Sequence, residues 1–436
     1  MLEVHLDRGS RLDVLLEVAE GESVIDLGVD EDVVQDVAVF ECEPFDFVDP
    51  GGFDVYHHAR HRLRCLVGGS CRSLLTTACD EGQRHEQDHE RLEHRSRVGD
   101  VPVTPPAPDE LRSMIDARLD ALLDQRMQRL PEAGGLISEI RRVLDAGGKR
   151  LRPAFCYWGY RATGAAHSEG IVAVASAFEL LHTFAIVHDD IMDSAAERRG
   201  QPTTVAHLGP ARALLAGDLA LVLADAAFWE ADLPLEHLAA GFAHFTSMRE
   251  QVIAGQDMDV EAHRSEVDES RARAIAVLKS GSYSIEHPLL IGARLGGADE
   301  SLLSGLARFG RPLGEAFQLR DDLLGLFGDP ATTGKPADSD IREGKRNVLF
   351  AKALASSTGE DRDTLLRDWG GGSALADDRV EVLRSIVERS GARSATEELI
   401  DSLRNEAAAA LQAAPIVAPA RAELERLAHA AVTRTY

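Results

Sequence analysis

Lysine is nearly missing from this chain. Of 47 basic residues among 436, five are lysine, at positions 149, 279, 335, 345 and 352. A chain that writes arginine wherever either cation serves keeps lysine where a compact ammonium is wanted in place of a planar fork. Basic charge as a whole is short, and the net charge of −26 excludes nucleic acid and anionic membrane surfaces as partners, because both repel an acidic protein. An anionic substrate must then be gripped by metals and a few locally placed cations. Aromatics are sparse, at 5%, while alanine and leucine abound, which favours helices. Four of the five cysteines (Cys42, Cys65, Cys71 and Cys79) precede residue 104 and lack paired CxxC spacing, which argues against a zinc ribbon. Long uninterrupted apolar runs are absent too. Residues 171–187 are broken by Glu179 and His182, and 211–229 by Asp218 and Asp225, so neither reads as a bilayer span. Residues 1–13 hold no apolar core of a secretory signal, and the cytoplasm is the expected compartment.

The first hundred residues differ from the rest. The first fifty carry 15 acidic residues against two basic ones, and the next fifty hold six of the 16 histidines. Neither half shows sustained helical or strand periodicity. His85-Glu86-Gln87-Asp88-His89 matches the HExxH pattern, but its flanks offer no apolar face to bury such a helix and no third ligand follows. Residues 1–104 are therefore expected to be disordered, or to precede a true start of translation between Val101 and Met114. The proline-rich VPVTPPAP closes the segment, and a single domain is expected over 105–436.

From residue 108 the pattern turns helical, and chemistry gathers at a few places. The stretch 179–203 places Asp189, Asp190 and Asp193 at the end of a long apolar helix, with Arg198 and Arg199 five residues on. Positions four apart share a helix face, so Asp189 and Asp193 can reach the same cation. Hard carboxylate oxygens suit Mg²⁺, whose remaining positions phosphate oxygens commonly fill, and the arginine pair supplies forked donors for phosphate. About 130 residues later, FQLRDDLLGLFGD repeats the signal with Asp321 and Asp322, followed by Lys335 and Lys345. Two such acidic ends facing one another would hold divalent ions, bridged by a diphosphate. GGKRLRP adds two or three cations, from Lys149, Arg150 and Arg152, beside glycines that expose backbone amides, a phosphate cradle. Lys279-Ser280-Gly281 sets a lysine on an apolar helix, costly without an anionic partner, and Gln256 with Asp257 sits near a further helix end. Residues 346–436 are read as structural.

With GGKRLRP, HTFAIVHDDIMD, RRGQPT, KSG, FQLRDD and GKPADSDIREGK in this order, the sequence resembles the trans-prenyl diphosphate synthases over about 105–436. The resemblance implies an all-α fold, one large helical bundle around a central cavity, acting as a homodimer. It implies departure of diphosphate from an allylic substrate with Mg²⁺, three ions per site, followed by alkylation of isopentenyl diphosphate and loss of a proton. It makes Asp189, Asp193 and Asp321 the principal metal ligands, with Asp190 and Asp322 completing or orienting the shell. Arg198, Lys279 and Lys335 would hold the allylic diphosphate, and Lys149, Arg152, His182 and Arg199 the isopentenyl diphosphate. Ser280 and Gln318 would turn oxygen dipoles toward the cation, and Lys345 would close a basic lid. The second acidic motif is commonly DDxxD, whereas its fifth position here is Gly325, leaving Asp321 and Asp322 with Asp329 nearby. In this family the residue five before the first aspartate, here Phe184, floors the growing chain. One aromatic there with the small Ala185 beside it resembles synthases that stop at geranylgeranyl diphosphate, with farnesyl and longer products as alternatives. A terpene cyclase would have no use for GGKRLRP, and a non-catalytic subunit of a heteromeric synthase should have lost more of these residues.

Overall fold

A computed structural model describes residues 106–263, 267–328 and 338–433, together with five short strands between residues 2 and 65. The chain divides into two units, Met1–Pro102 and Val103–Tyr436. In the first, β1 (Leu2–Leu6), β2 (Leu12–Val18) and β3 (Gly21–Asp26) form an antiparallel meander, and β4 (Phe40–Glu41) pairs with β5 (Arg64–Cys65). The register sets Leu2 opposite Leu16, Val4 opposite Val14 and Leu6 opposite Leu12. That is an alternation of period two, too short for the sequence reading to have counted as strand. The other positions before residue 106, His85 and His89 among them, lie outside the described residues, as does the disorder expected there.

The second unit is helical as far as it is described, apart from one two-stranded hairpin. It begins with α1 (Pro108–Arg129), α2 (Gly134–Asp145), α3 (Leu151–Ala162) and α4 (Glu169–Met192). After the hairpin come α5 (Thr204–Leu208), α6 (Pro210–Trp229), α7 (Leu235–Ala262) and α8 (Glu269–Ala276). A π-helical segment, Val277–Glu286, runs into α9 (His287–Leu295) and is followed by α10 (Glu300–Phe327). Six further helices close the unit: α11 (Ser339–Glu343), α12 (Val348–Ser356), α13 (Gly359–Asp368), α14 (Asp377–Arg389), α15 (Ala392–Ala413) and α16 (Ala418–Val432).

The bundle is built around α4. Ser168 caps its first turn by accepting from the Ile171 amide, and from Gly170 to Leu181 every residue is buried. A helix apolar on all sides must be enclosed, and α6, α3 and α1 pack against it. By length and composition α4 is the one described helix that meets the requirement for a membrane span, Glu179 and His182 notwithstanding, yet 78% of that stretch is buried in the bundle. Its apolar surface is core.

Two packing devices hold the ends of these helices in place. The first is Arg150, whose backbone adopts the left-handed φ of 49° that starts α3. Its Nε donates to Asp116 Oδ1 at 2.8 Å on α1, its Nη1 to Glu179 Oε2 at 2.6 Å on α4, and its Nη2 to the Leu144 carbonyl at 3.0 Å on α2. Burial would favour loss of its charge, but Glu179 and Asp116 outweigh burial and raise its pKa. One guanidinium thus ties three helices to the loop carrying Lys149. The second device is a backbone contact between the π-helical segment and α10. A Cβ on Gly281 would lie 2.7 Å from the Gly314 carbonyl oxygen, and one on Gly314 would lie 2.5 Å from that of Gly281. Only glycines let these backbones touch, which sets Lys279 and Ser280 across from Gln318 and Asp322.

Arg150→Ala leaves Glu179 buried without its cation, and its cost is expected at about 3–5 kcal/mol of stability by denaturant unfolding. Gly281→Ala forces the two segments apart and is expected to cost about 1–3 kcal/mol in the same measurement.

Candidate active site

The first acidic wall is the end of α4. Asp189 Oδ1 accepts from Lys279 Nζ at 2.9 Å, and the same ammonium donates to Asp259 Oδ2 at 2.7 Å. Lys345 Nζ donates to Asp193 and lies 3.6 Å from Asp259. The π-helical segment brings Lys279 and the turn after α11 brings Lys345, so two ammoniums sit among three carboxylates. Burial pushes the Asp189 carboxyl up, but Lys279, Lys345 and Arg198 more than offset it and hold the group below the usual carboxylate range. Burial likewise opposes charge on Lys279 and Lys345, and the carboxylates overcome it: both are raised, Lys279 chiefly by Asp189 and Lys345 chiefly by Asp259. Asp259 is buried; the sequence singles out its neighbours Gln256, which does line the cavity, and Asp257. Asp257 is exposed. The signal was present in the spacing: Val252, Gly255 and Asp259 are the buried positions of this part of α7, at intervals of three and four.

The paired arginines occupy a hairpin, β6 (Glu197–Arg198) with β7 (Gln201–Pro202). Its two-residue turn is Arg199-Gly200, with φ of 53° and 70°, the positive pair that a primed turn requires. The turn parts the two side chains. Arg198 Nε donates to Asp190 Oδ1 at 2.8 Å and its Nη2 to Asp189 Oδ2 at 3.3 Å, whereas Arg199 donates to the Gly147 carbonyl. Asp190 is buried and is not among the residues lining the cavity; it holds Arg198 in place.

Lys149, Arg152, His182 and Arg199 line the same cavity. Arg152 Nη2 donates to Tyr283 Oη at 2.9 Å and to Ser284 Oγ at 2.7 Å, with its guanidinium 4.4 Å from the Tyr283 ring centroid. Tyr283 Oη also meets His182 Nδ1 at 3.0 Å. Desolvation, together with Arg152, Arg199 and Arg198 nearby, keeps the His182 imidazole neutral, its pKa well below the ordinary value. Tyr283 therefore orients both a cation and a neutral histidine, and nothing in its local sequence marked it. Arg150, grouped with Lys149 and Arg152 by sequence, directs its guanidinium to Asp116 and Glu179 and serves the fold.

The second acidic wall is the end of α10. Asp321, Asp322 and Gln318 line the cavity, and Gln318 Nε2 donates to Asp322 Oδ1 at 2.8 Å. Asp322 Oδ2 is buried with no hydrogen-bond partner. Burial, with Asp340 adding repulsion, pushes the Asp322 carboxyl well above its ordinary value; a cation there would reverse that. Lys335 and Asp329 lie outside the described residues. The tail read as structural also contributes, since Arg346, Asn347 and Thr433 line the cavity.

Between the walls the cavity measures about 860 Å³. Its apolar lining includes Ala185, Ile186, Val252, Ile275, Phe317 and Leu324, and Ser280 faces it. Phe184 is not among the lining residues; it packs against the core, its ring centroid 4.7 Å from that of His188. Among the described residues no three acidic, histidine or cysteine side chains already converge as a metal cluster. The donor set nonetheless fits hard divalent cations: carboxylates from two walls share one cavity, and one buried carboxylate oxygen has no partner. Asp189, Asp193 and Asp321 would hold such ions, with a bound diphosphate supplying further oxygens.

Comparison with known proteins agrees with this geometry. Residues 136–386 match the family model for polyprenyl synthetase. The chain is 35% identical over 256 residues to a (2E,6E)-farnesyl diphosphate synthase of Mycobacterium tuberculosis, covering 58% of this chain and 70% of that one. It is 38% identical over 240 residues to a geranylgeranyl diphosphate synthase of Sulfolobus acidocaldarius, covering 53% and 71%. A geranylgeranyl pyrophosphate synthase from Corynebacterium glutamicum, solved with isoprenyl diphosphate and magnesium, superposes with a TM-score of 0.72 at 32% identity over 76% of this chain and all of that one. The helical bundle, the order of its motifs and these matches together place the chain in the polyprenyl synthetase family, as a prenyltransferase.

Proposed function

We propose that this prenyltransferase joins isopentenyl diphosphate to an allylic diphosphate with Mg²⁺ and stops at the C20 product, geranylgeranyl diphosphate. The observation that carries the reading is one cavity lined by two acidic walls, by cations held in different partnerships and by apolar side chains. Arg198, Lys279 and Lys345, set among the acidic walls, take the allylic diphosphate. Lys149, Arg152 and Arg199, with the neutral His182 held by Tyr283, take isopentenyl diphosphate. Magnesium, when bound, offsets the charge that develops on the departing diphosphate. The protein positions the double bond against the allylic carbon and keeps water from the carbocation through Ile186, Val252, Phe317 and their neighbours. Ser280 and the amide oxygen of Gln318 offer oxygen dipoles to the cationic carbon.

Support for C20 comes from the turn of α4 before Asp189. Four residues of helix set Ala185 about 6 Å back along the axis, and this small side chain, which lines the cavity where Phe184 does not, leaves it room. The relatives include both farnesyl and geranylgeranyl synthases, so product length belongs to this proposal. A homodimer is also proposed: Leu214, Leu215, Val222 and Trp229 of α6 are 45–61% exposed, an apolar face suited to a second copy.

Purified protein incubated with Mg²⁺, isopentenyl diphosphate and each allylic diphosphate in turn, with the dephosphorylated products chromatographed, is expected to yield C20 alcohol. A chain ending at C15, or running well past C20, would sink the product assignment. Ala185→Phe, which narrows the cavity lining, should shorten the product. Asp189→Ala and Asp321→Ala should each slow turnover by roughly 10²-fold or more, the scale on which electrostatic stabilisers act. Light scattering should return the mass of two chains.

A further inference from the structure

The second acidic motif lacks its fifth carboxylate, since position 325 is glycine. Gly325 stands one turn beyond Asp321 and Asp322 on α10, and it lines the same cavity. A Cβ built there would lie 2.7 Å from Asp340 Oδ2, 2.9 Å from its Cγ and 3.0 Å from its Oδ1. The Asp340 carboxylate thus rests against bare backbone, in the space a side chain at 325 would fill. Resting on the reading of a metal-diphosphate site between the acidic walls, we infer that Asp340 restores the missing acidic oxygen of the α10 wall and acts there as a positioning residue for the divalent cation.

The placement is built, not incidental. Asp340 lies in the first turn of α11, whose end is closed by Gly344 at a φ of 75° and by the Lys345 amide donating to the Asp340 carbonyl at 3.0 Å. Asn347 Nδ2 reaches Asp340 Oδ2 at 3.3 Å from the start of α12. Both Asp340 and Asn347 line the cavity. The neighbouring Asp322 Oδ2 is a buried carboxylate oxygen without a partner, and Asp322 and Asp340 line the same wall of the cavity, where an oxygen-seeking ion fits. A carboxylate supplied by the following segment also couples the α11 turn, and with it Lys345, to occupation of the site. Glycine at 325 is then a requirement: any side chain would displace Asp340.

The test is Mn²⁺ binding read by electron paramagnetic resonance in the presence of inorganic diphosphate, using the full chain, since Mn²⁺ accepts the same carboxylate and phosphate oxygens. Asp340→Asn, nearly isosteric, is expected to weaken Mn²⁺ binding by about 10-fold or more, the range seen when a group orienting metal ligands is lost. The double variant Gly325→Asp with Asp340→Ala, which clears the side chain that a Cβ at 325 would meet, returns a carboxylate from α10 itself and is expected to regain most of that affinity. Thermal unfolding of each variant without metal monitors the fold, and a merely structural Asp340 would lower the midpoint while leaving Mn²⁺ affinity alone. Unchanged affinity in Asp340→Asn, beside a parent that binds, overturns the inference and spares the proposed function. A parent that binds no Mn²⁺ overturns the metal reading and this inference together.

Discussion

The structure depends on burying like-signed carboxylates beside one another. Asp189, Asp193 and Asp259 meet in a wall where water is scarce, and without cations their mutual repulsion and lost hydration would be prohibitive. Lys279 and Lys345 make the arrangement possible, each spanning two carboxylates from different helices. An ammonium is compact and donates in three directions, which explains why a chain so poor in lysine keeps it here. The same pairs make the site responsive. On the proposed function, an incoming diphosphate with divalent ions would offer the lysines a new partner and the aspartates a stronger one, exchanging one set of ion pairs for another without stranding any charge.

That exchange needs rigid surroundings. The Gly281–Gly314 contact fixes the π-helical segment on α10, so Lys279 cannot drift from Asp189. Arg150 does the equivalent at the other end, and the hairpin turn at Arg199-Gly200 sends two adjacent arginines to different tasks. Apolar residues, Ile186, Val252 and Phe317 among them, line the same cavity. On the proposed function, binding of the diphosphates and protection of a reactive cation both follow from one cavity lined by charged and apolar side chains.

Much of this was legible in one dimension. The spacing of Asp189 and Asp193, the repeat at Asp321 and Asp322, and lysine on an apolar helix each state a local chemical demand that few arrangements satisfy. Helical periodicity gave the bundle. The failures share one cause, that sequence proximity was taken for spatial grouping. Arg150 stands between Lys149 and Arg152 yet turns inward, because a left-handed residue at the start of α3 reverses its direction. Asp189 and Asp190 both accept from Arg198, yet of the two only Asp189 lines the cavity, because adjacent helical residues point about 100° apart. Asp259 meets the lysines and Asp257 does not, because Val252, Gly255 and Asp259 form the buried face of α7. The short strands β1 to β3 escaped because five to seven alternating residues amid acidic loops give little periodic signal.

What the sequence determined unaided is the kind of chemistry: carboxylates, cations and an apolar helix core are properties of side chains and their local spacing. Which carboxylate meets which cation was decided by tertiary structure alone. Asp259 meets Lys279 across 20 residues, Tyr283 meets Arg152 across 131, and Asp340 fills the space at Gly325. Such pairings depend on how helices cross and how closely backbones approach, and local spacing carries no record of either.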